Sequence, residues 1–261
     1  MTVRRKSTSS DVGPLDTFEA YIREVRLVLE RIPDPSKYPF SIPALKGMEA
    51  ISLDPRVTFL VGENGSGKST VLEAVAIAAG FNAEGGSQNL RFANRPSESP
   101  LHEALRLVRG VRRPRTGFFL RAESFFNVAS EVEKDPMILA AYGGQPLHEK
   151  SHGEAFLTLV NERFGDHGLY ILDEPEAALS PQRQLGLMVA MHALVNRKCQ
   201  FLVATHSPLL LAYPESIILQ LSQDGVVPVR YEDTEHYALT RDFLLDREKY
   251  LRRLLAPDAG R

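Results

Sequence analysis

The sequence predicts an α/β fold, a mainly parallel sheet with helices on both faces. Three observations carry that reading. Apolar, β-branched segments alternate with segments of helical period along the chain. A glycine-rich loop joins one such strand to a helix. Two later strands, GLYILDE and CQFLVATH, run into acidic or polar residues, the pattern of strand ends that gather along one edge of a parallel sheet.

The elements follow in order. Residues 1–16, rich in Ser, Thr and Arg, read as a mobile tail. YIREVRLVLERI (21–32) suits a strand or a short helix, and KGMEAISL (46–53) suits a strand. RVTFLVG (56–62) is β-branched, apolar and stopped by glycine, so it reads as a buried strand. STVLEAVAIAAG (69–80) is apolar on nearly every face, as in a buried helix, with Gly80 as its stop. Residues 82–100 collect Gly, Asn, Ser and Pro and read as a surface excursion. In GEAFLTLVNERFG, Phe156, Leu159, Val160 and Phe164 recur at helical spacing, with Gly165 as stop. Ser180 and Pro181 suit the N-cap and first position of a helix carrying Leu185, Met188 and Leu194. SIILQLSQDGVVPVR reads as a hairpin turning at Asp224-Gly225, and the residues from about 240 as a charged helix. No internal repeat is visible in the sequence.

Composition narrows the classes. The 261 residues are 43% hydrophobic and 25% charged, an ordinary globular balance. A net charge of -2 and a pI near 6.4 argue against a strongly basic nucleic-acid coat and leave room for a local basic patch. The single cysteine, Cys199, permits no internal disulfide, which fits a reducing cytosol. The basic, polar start lacks the apolar core of a signal peptide, and no stretch approaches a membrane span, so a cytoplasmic protein without direct membrane insertion is expected.

GENGSGKS, Gly62 to Ser69, satisfies G-x-x-x-x-G-K-[ST] at every fixed position, behind a buried strand and at the start of a helix. Gly62, Gly65 and Gly67 permit backbone shapes that let Glu63, Asn64, Ser66 and their neighbours converge N–H groups on phosphate oxygens. The helix start adds its positive dipole end. Lys68 is placed to bridge the β- and γ-phosphates, Ser69 to ligate Mg²⁺, and Thr70 to complete the loop. A P-loop NTPase fold and a bound nucleoside triphosphate are expected.

LYILDEPEAALSP (169–181) sets Asp173 at a strand end, where it can hold the Mg²⁺ shell, and Glu174 next to it, where it can polarise the attacking water. An Asp-Glu pair in a turn stopped by Pro175 is the plainer alternative, weakened by the complete phosphate loop upstream. Guanine-specific enzymes carry Asn-Lys-x-Asp at a strand end. The nearest fragment here, Asn196-Arg197-Lys198, does not match, so ATP is the expected nucleotide.

GENGSGKST, KSHGEAFL, YILDEPEAALS and VATHSP, in that order over residues 45–221, resemble the ATP-binding-cassette ATPases, and among them the stand-alone soluble bacterial ATPases often grouped with AAA-type or SMC-like proteins. The resemblance implies one ATPase domain over 17–261, with an N-terminal antiparallel β portion and a small helical insertion, a helical subregion over about 82–165. It implies that Ser151 and Gly153 stand where the family's Leu-Ser-Gly-Gly-Gln signature contacts ATP held by a second subunit, so that ATP closes a homodimer. His152 and Glu154 depart from that signature. It implies that His206 is the switch histidine at the γ-phosphate. FFLRAESFF (118–126) occupies the place of the glutamine loop with Glu123, either a further Mg²⁺ ligand or an exposed glutamate in a helix between aromatic core residues. Tyr38 or Phe40 is the expected adenine-stacking residue.

The function expected is a Mg-dependent ATPase working as a homodimer switch on an unidentified protein or nucleic-acid partner. A transporter subunit and a non-hydrolysing ATP sensor are the alternatives. About eighty residues lie between Lys68 and Ser151, too few for long coiled-coil arms, and about 55 follow His206, too few for an appended nuclease domain of ordinary size.

Overall fold

The computed structural model describes residues 19–87, 99–125, 129–130, 133, 146, 148 and 150–255. The expected tail and much of the 82–100 excursion lie outside these residues.

A seven-stranded sheet has the order β10-β9-β3-β8-β7-β6-β4. Its strands are β3 (Val57–Val61), β4 (Gly86–Ser87), β6 (Thr116–Arg121), β7 (Gly168–Asp173), β8 (Gln200–Ala204), β9 (Ile217–Ser222) and β10 (Gly225–Val229). The five central strands are parallel, while β10 and β4 pair antiparallel at the two edges. A second, antiparallel sheet orders β2 (Ala50–Ser52), β1 (Ile22–Leu27) and β5 (Leu105–Arg109). Residues 21–32 therefore open with a strand. The antiparallel portion takes one of its three strands from beyond the phosphate loop.

Alternation along the central strands divides the interior into two cores. Leu60, Phe119, Leu169, Ile171, Leu202 and Leu219 face helix α1 (Lys68–Ala79) and the small sheet. Phe59, Phe118, Leu120, Tyr170, Leu172, Phe201 and Val203 face helices α3 (His152–Arg163) and α4 (Pro181–Val195). The short helix α2 (Leu101–Ala104) leads into β5. Because both faces of the parallel strands are covered, β3, β7 and β8 are mainly apolar and buried at every position. Gln200 ties the two sheets together: its side chain accepts from Ile22 N at 3.0 Å and donates to Ile22 O at 2.8 Å and Asp54 O at 2.9 Å. Buried in this way, its amide has every polar atom satisfied.

Three expectations need correcting. The stretch 82–165, expected as a helical subregion, contributes strands at 86–87, 105–109 and 116–121, and β6 is an interior strand of the large sheet. On α4 the buried face is Gln184, Leu187, Met191 and Leu194, and Met188 packs against the core at its margin, whereas Leu185 is 49% exposed. The charged C-terminal segment is two helices, α6 (Glu235–Leu245) and α7 (Arg247–Leu254), broken at Asp246, whose side chain accepts from Lys249 N. A short helix α5 (Pro208–Leu211) follows β8. No described helix is long and apolar enough to cross a membrane.

Candidate functional site

Parallel strands bring their C-terminal ends to one edge, and the site is built there. The phosphate loop leaves β3, Asp173 ends β7, Arg121 ends β6 directly opposite Asp173, and His206 follows β8. The ladder carries on past the strand ends: Glu174 N donates to Ala204 O at 2.9 Å and Thr205 N to Leu60 O at 3.2 Å. These bonds fix the acidic turn against the histidine turn.

Within the loop, Gly62, Gly65 and Gly67 all have positive φ. A Cβ on Gly62 would stand 2.5 Å from Leu221 O and 2.7 Å from Ser66 Oγ, so only glycine fits there. Lys68, buried at the start of α1, donates to Gly62 O at 2.9 Å and Glu63 O at 3.0 Å. Burial lowers its pKa, against the pull of Glu174, Asp173 and Glu176. Ser66 Oγ is buried without a hydrogen-bond partner among the described residues.

Ser69 Oγ donates to Asp173 Oδ1 at 2.9 Å. Burial pushes the Asp173 carboxyl up to about 6, opposed by Arg121 and the Ser69 hydrogen bond. Arg121 is the cation of this edge, with Nη1 2.7 Å from Glu73 Oε2 and Nε 3.5 Å from Asp173 Oδ2. Glu123, two residues on, lies in the turn after β6 rather than in a helix; it is 87% exposed and 4.0 Å from Arg121 Nη2. Thr70 Oγ1 and Tyr38 OH are 2.7 Å apart beside the loop, with Tyr38 68% exposed, whereas Phe40 is buried in the core. Of the two aromatics considered for adenine, only Tyr38 offers a free ring face at this place.

Glu174 has φ 48 and ψ 51, in the left-handed region, immediately before a proline. That backbone is costly for a side chain other than glycine, and such strain concentrates at functional sites. Its Oε1 is 3.6 Å from His206 Nε2, a nitrogen that is buried and lacks a hydrogen-bond partner among the described residues. The half-buried Glu176 grips the same turn, accepting from His206 N at 2.5 Å and Thr205 Oγ1 at 2.7 Å. His206 Nδ1 and His236 Nε2, the latter on α6, are 2.8 Å apart. A cleft of about 520 Å³ runs from Gly62–Ser66 to the β9–β10 turn and His236.

Ser151 is the N-cap of α3 in a capping box with Glu154, whose carboxylate accepts from Ser151 N at 3.2 Å. Arg183 of α4 donates to both, to Ser151 Oγ at 3.1 Å and Glu154 Oε1 at 2.9 Å. Gly153 is enclosed, since a Cβ there would meet Arg183 Nη1 at 2.7 Å and Ala178 O at 2.9 Å. Glu154 is thus committed to the cap and to Arg183.

Sequence reasoning brought the phosphate loop, Asp173, Glu174 and His206 together and missed four side chains. Glu176 lay inside the acidic motif but carried no mark of its own. Arg121 and Arg183 gave no local pattern, and His236 sits in a segment that reads only as charged helix.

The oxygen donors Ser69 and Asp173 suit a hard divalent cation, and a convergent glycine loop with an unpartnered Ser66 hydroxyl suits phosphate oxygens. The family model described as "AAA domain, putative AbiEii toxin, Type IV TA system" matches residues 57–136 and 150–212. Among solved structures, the chain is similar to the SMC head domain from Thermotoga maritima at 17% identity, over 69% of this chain and 93% of that one, with a TM-score of 0.41. It is also similar to cbiO1 from Clostridium perfringens, part of the ABC transporter complex cbiONQ, at 16% identity, over 92% of this chain and 100% of that one, with a TM-score of 0.46. No curated protein matches the chain.

Proposed function

The chain belongs to this AAA-domain family of ABC-like P-loop ATPases, and from that premise we propose that it binds Mg-ATP on the Gly62–Thr70 loop and hydrolyses it with Glu174 as the base. The observation that carries the reading is the Ser69–Asp173 hydrogen bond, which joins the phosphate loop to the acidic strand end in one site shared with Glu174 and His206.

Lys68 leaves its loop carbonyls for the β- and γ-phosphates, and the loop N–H groups hold the remaining oxygens. Ser69 and Asp173 would hold a Mg²⁺ ion, which when bound would supply positive charge against the phosphate oxygens. Glu123, exposed beside Arg121, would be a further ligand to that ion. Glu174 takes a proton from water as its oxygen bonds to the γ-phosphorus and the β–γ bridging bond breaks, releasing ADP and phosphate. His206 stabilises the oxygens of the transferring group. Tyr38 stacks on adenine.

Ser151 heads a helix whose N-terminal N–H groups form an anion site, and Arg183 adds a guanidinium to the same crown. We assign this crown to the γ-phosphate held by a second copy, so that Mg-ATP closes a homodimer and hydrolysis reopens it onto a protein or nucleic-acid partner. The test is phosphate release by the purified chain: Mg-dependent turnover is expected, lost in Lys68→Ala. Equal turnover in Lys68→Ala overturns the assignment of the loop.

A further inference from the structure

Two imidazoles meet at the edge of the site. His206 and His236 stand edge to face with ring centroids 4.9 Å apart, and His206 Nδ1 lies 2.8 Å from His236 Nε2. A hydrogen bond between them requires one of these nitrogens to carry the proton and the other to accept it.

The other side of His206 favours one assignment over the other. If Nδ1 were the donor in a neutral ring, Nε2 would turn a bare lone pair toward Glu174 Oε1 at 3.6 Å. Two electron-rich atoms would then face each other, an unfavourable pairing. If His236 Nε2 is the donor, His206 carries its proton on Nε2 and points an N–H at the carboxylate. Burial lowers the pKa of both rings, His206 also being near Lys68 and His236 near His206 and Lys68, against the opposing pull of Glu174 on the first and of Glu235 and Glu176 on the second. Both therefore favour the neutral form, in which the choice of nitrogen matters.

We propose that His236 is a positioning residue that locks His206 in the tautomer with its proton on Nε2, presented to Glu174 and to the phosphate being transferred. The inference rests on the reading of Glu174 and His206 as the hydrolytic pair. The rest of the structure is built to hold this contact. Thr234, fully buried, caps α6 by accepting from Tyr237 N at 3.4 Å and donates its hydroxyl to Tyr231 O at 2.7 Å. Tyr231 OH in turn donates to Pro208 O at 3.0 Å, two residues beyond His206. The first turn of α6 is thereby tied to the histidine turn it addresses, while Glu176 fixes the backbone of that turn from the opposite side. Helix α6 buries no side chain of its own, so its contribution here is this contact at its first turn.

The experiment reads the tautomer directly. Long-range proton–nitrogen spectra of the full chain, with labelled histidine, distinguish a proton on Nε2 from one on Nδ1 for His206. The wild type is expected to show Nε2–H; Nδ1–H would overturn the proposal by itself. His236→Leu is expected to release His206 to the other tautomer or a mixture. His236→Gln, whose amide nitrogen takes the place of the imidazole Nε2–H, is expected to keep Nε2–H. In phosphate release, kcat should fall about tenfold or more in His236→Leu with KM for ATP nearly unchanged, and His236→Gln should recover most of it. An unchanged tautomer and kcat in His236→Leu overturn the proposal; if that variant does not fold, the wild-type and His236→Gln spectra still decide. If the wild type releases no phosphate at all, the hydrolytic reading fails, while the spectra still report whether His236 sets the tautomer.

Discussion

Ser69 Oγ and Asp173 Oδ1, 104 positions apart in sequence, are joined by a hydrogen bond of 2.9 Å. The first turn of α1 and the end of β7 are thereby fixed together, and the two oxygens expected around a divalent ion come from elements that local sequence cannot relate. The carboxylate of this pair is buried in the sheet edge, which has a thermodynamic consequence.

Asp173 is pushed up to about 6 by burial, above its unfolded value, so the fold favours its protonated form. Its stabilising contribution is fully present at pH below the unfolded pKa and is lost as pH rises through about 6. In metal-free buffer, Asp173→Asn should therefore raise the thermal midpoint near pH 7.5, with a gain that shrinks below pH 6. By the size of the shift, which already includes the attraction to Arg121, the gain is at most about 3 kcal/mol. Melting curves across that range check this; a variant less stable at every pH would contradict it.

Glu174 holds a left-handed backbone that costs a residue with a side chain about 1–2 kcal/mol. Glu174→Gly should relieve that strain and raise the thermal midpoint while abolishing phosphate release. Function and stability then move in opposite directions, which melting curves paired with kinetics will show. A parallel loss of both would mean that the side chain is a structural prop.

Ser151 caps α3 and accepts from Arg183, so Ser151→Ala should cost about 1 kcal/mol of stability whatever else it does. Its proposed service to a second copy is read separately, in a Glu174→Gln background. There Ser151→Ala should weaken the ATP-dependent dimer seen by size-exclusion chromatography, while binding of ATP to a single chain persists. A dimer of undiminished strength would leave Ser151 as a cap alone.

Gly153→Ala places a methyl group against Ala178 O at 2.9 Å and against Arg183, between α3 and the turn after Glu174. The arginine can move and the carbonyl cannot, so about 1–3 kcal/mol of destabilisation is expected. Urea unfolding of the variant measures it, and an unchanged midpoint would show that α3 shifts freely.

What was legible in the sequence follows from how local each signal is. The phosphate loop, Asp173, Glu174 and His206 lie at the ends of strands that are apolar on both faces, and a parallel sheet obliges such ends to meet. Leu185 was misplaced because α4 is apolar around much of its circumference, so periodicity does not fix which stripe is buried. β5 and β6 were missed inside an expected helical region because a resemblance, rather than residue pattern, set that expectation; TGFFLR has the aromatic run of a buried strand. His236, Arg121 and Arg183 reach their partners across the fold, where spacing along the chain carries no information.

The most direct test of the account is the fate of ATP on the Glu174→Gln chain. Mixed with Mg-ATP and separated from free nucleotide, this variant should hold intact ATP under conditions in which the wild type returns ADP and phosphate. ADP formed at the wild-type rate would show that Glu174 is not the base and that the site built around it works in another way.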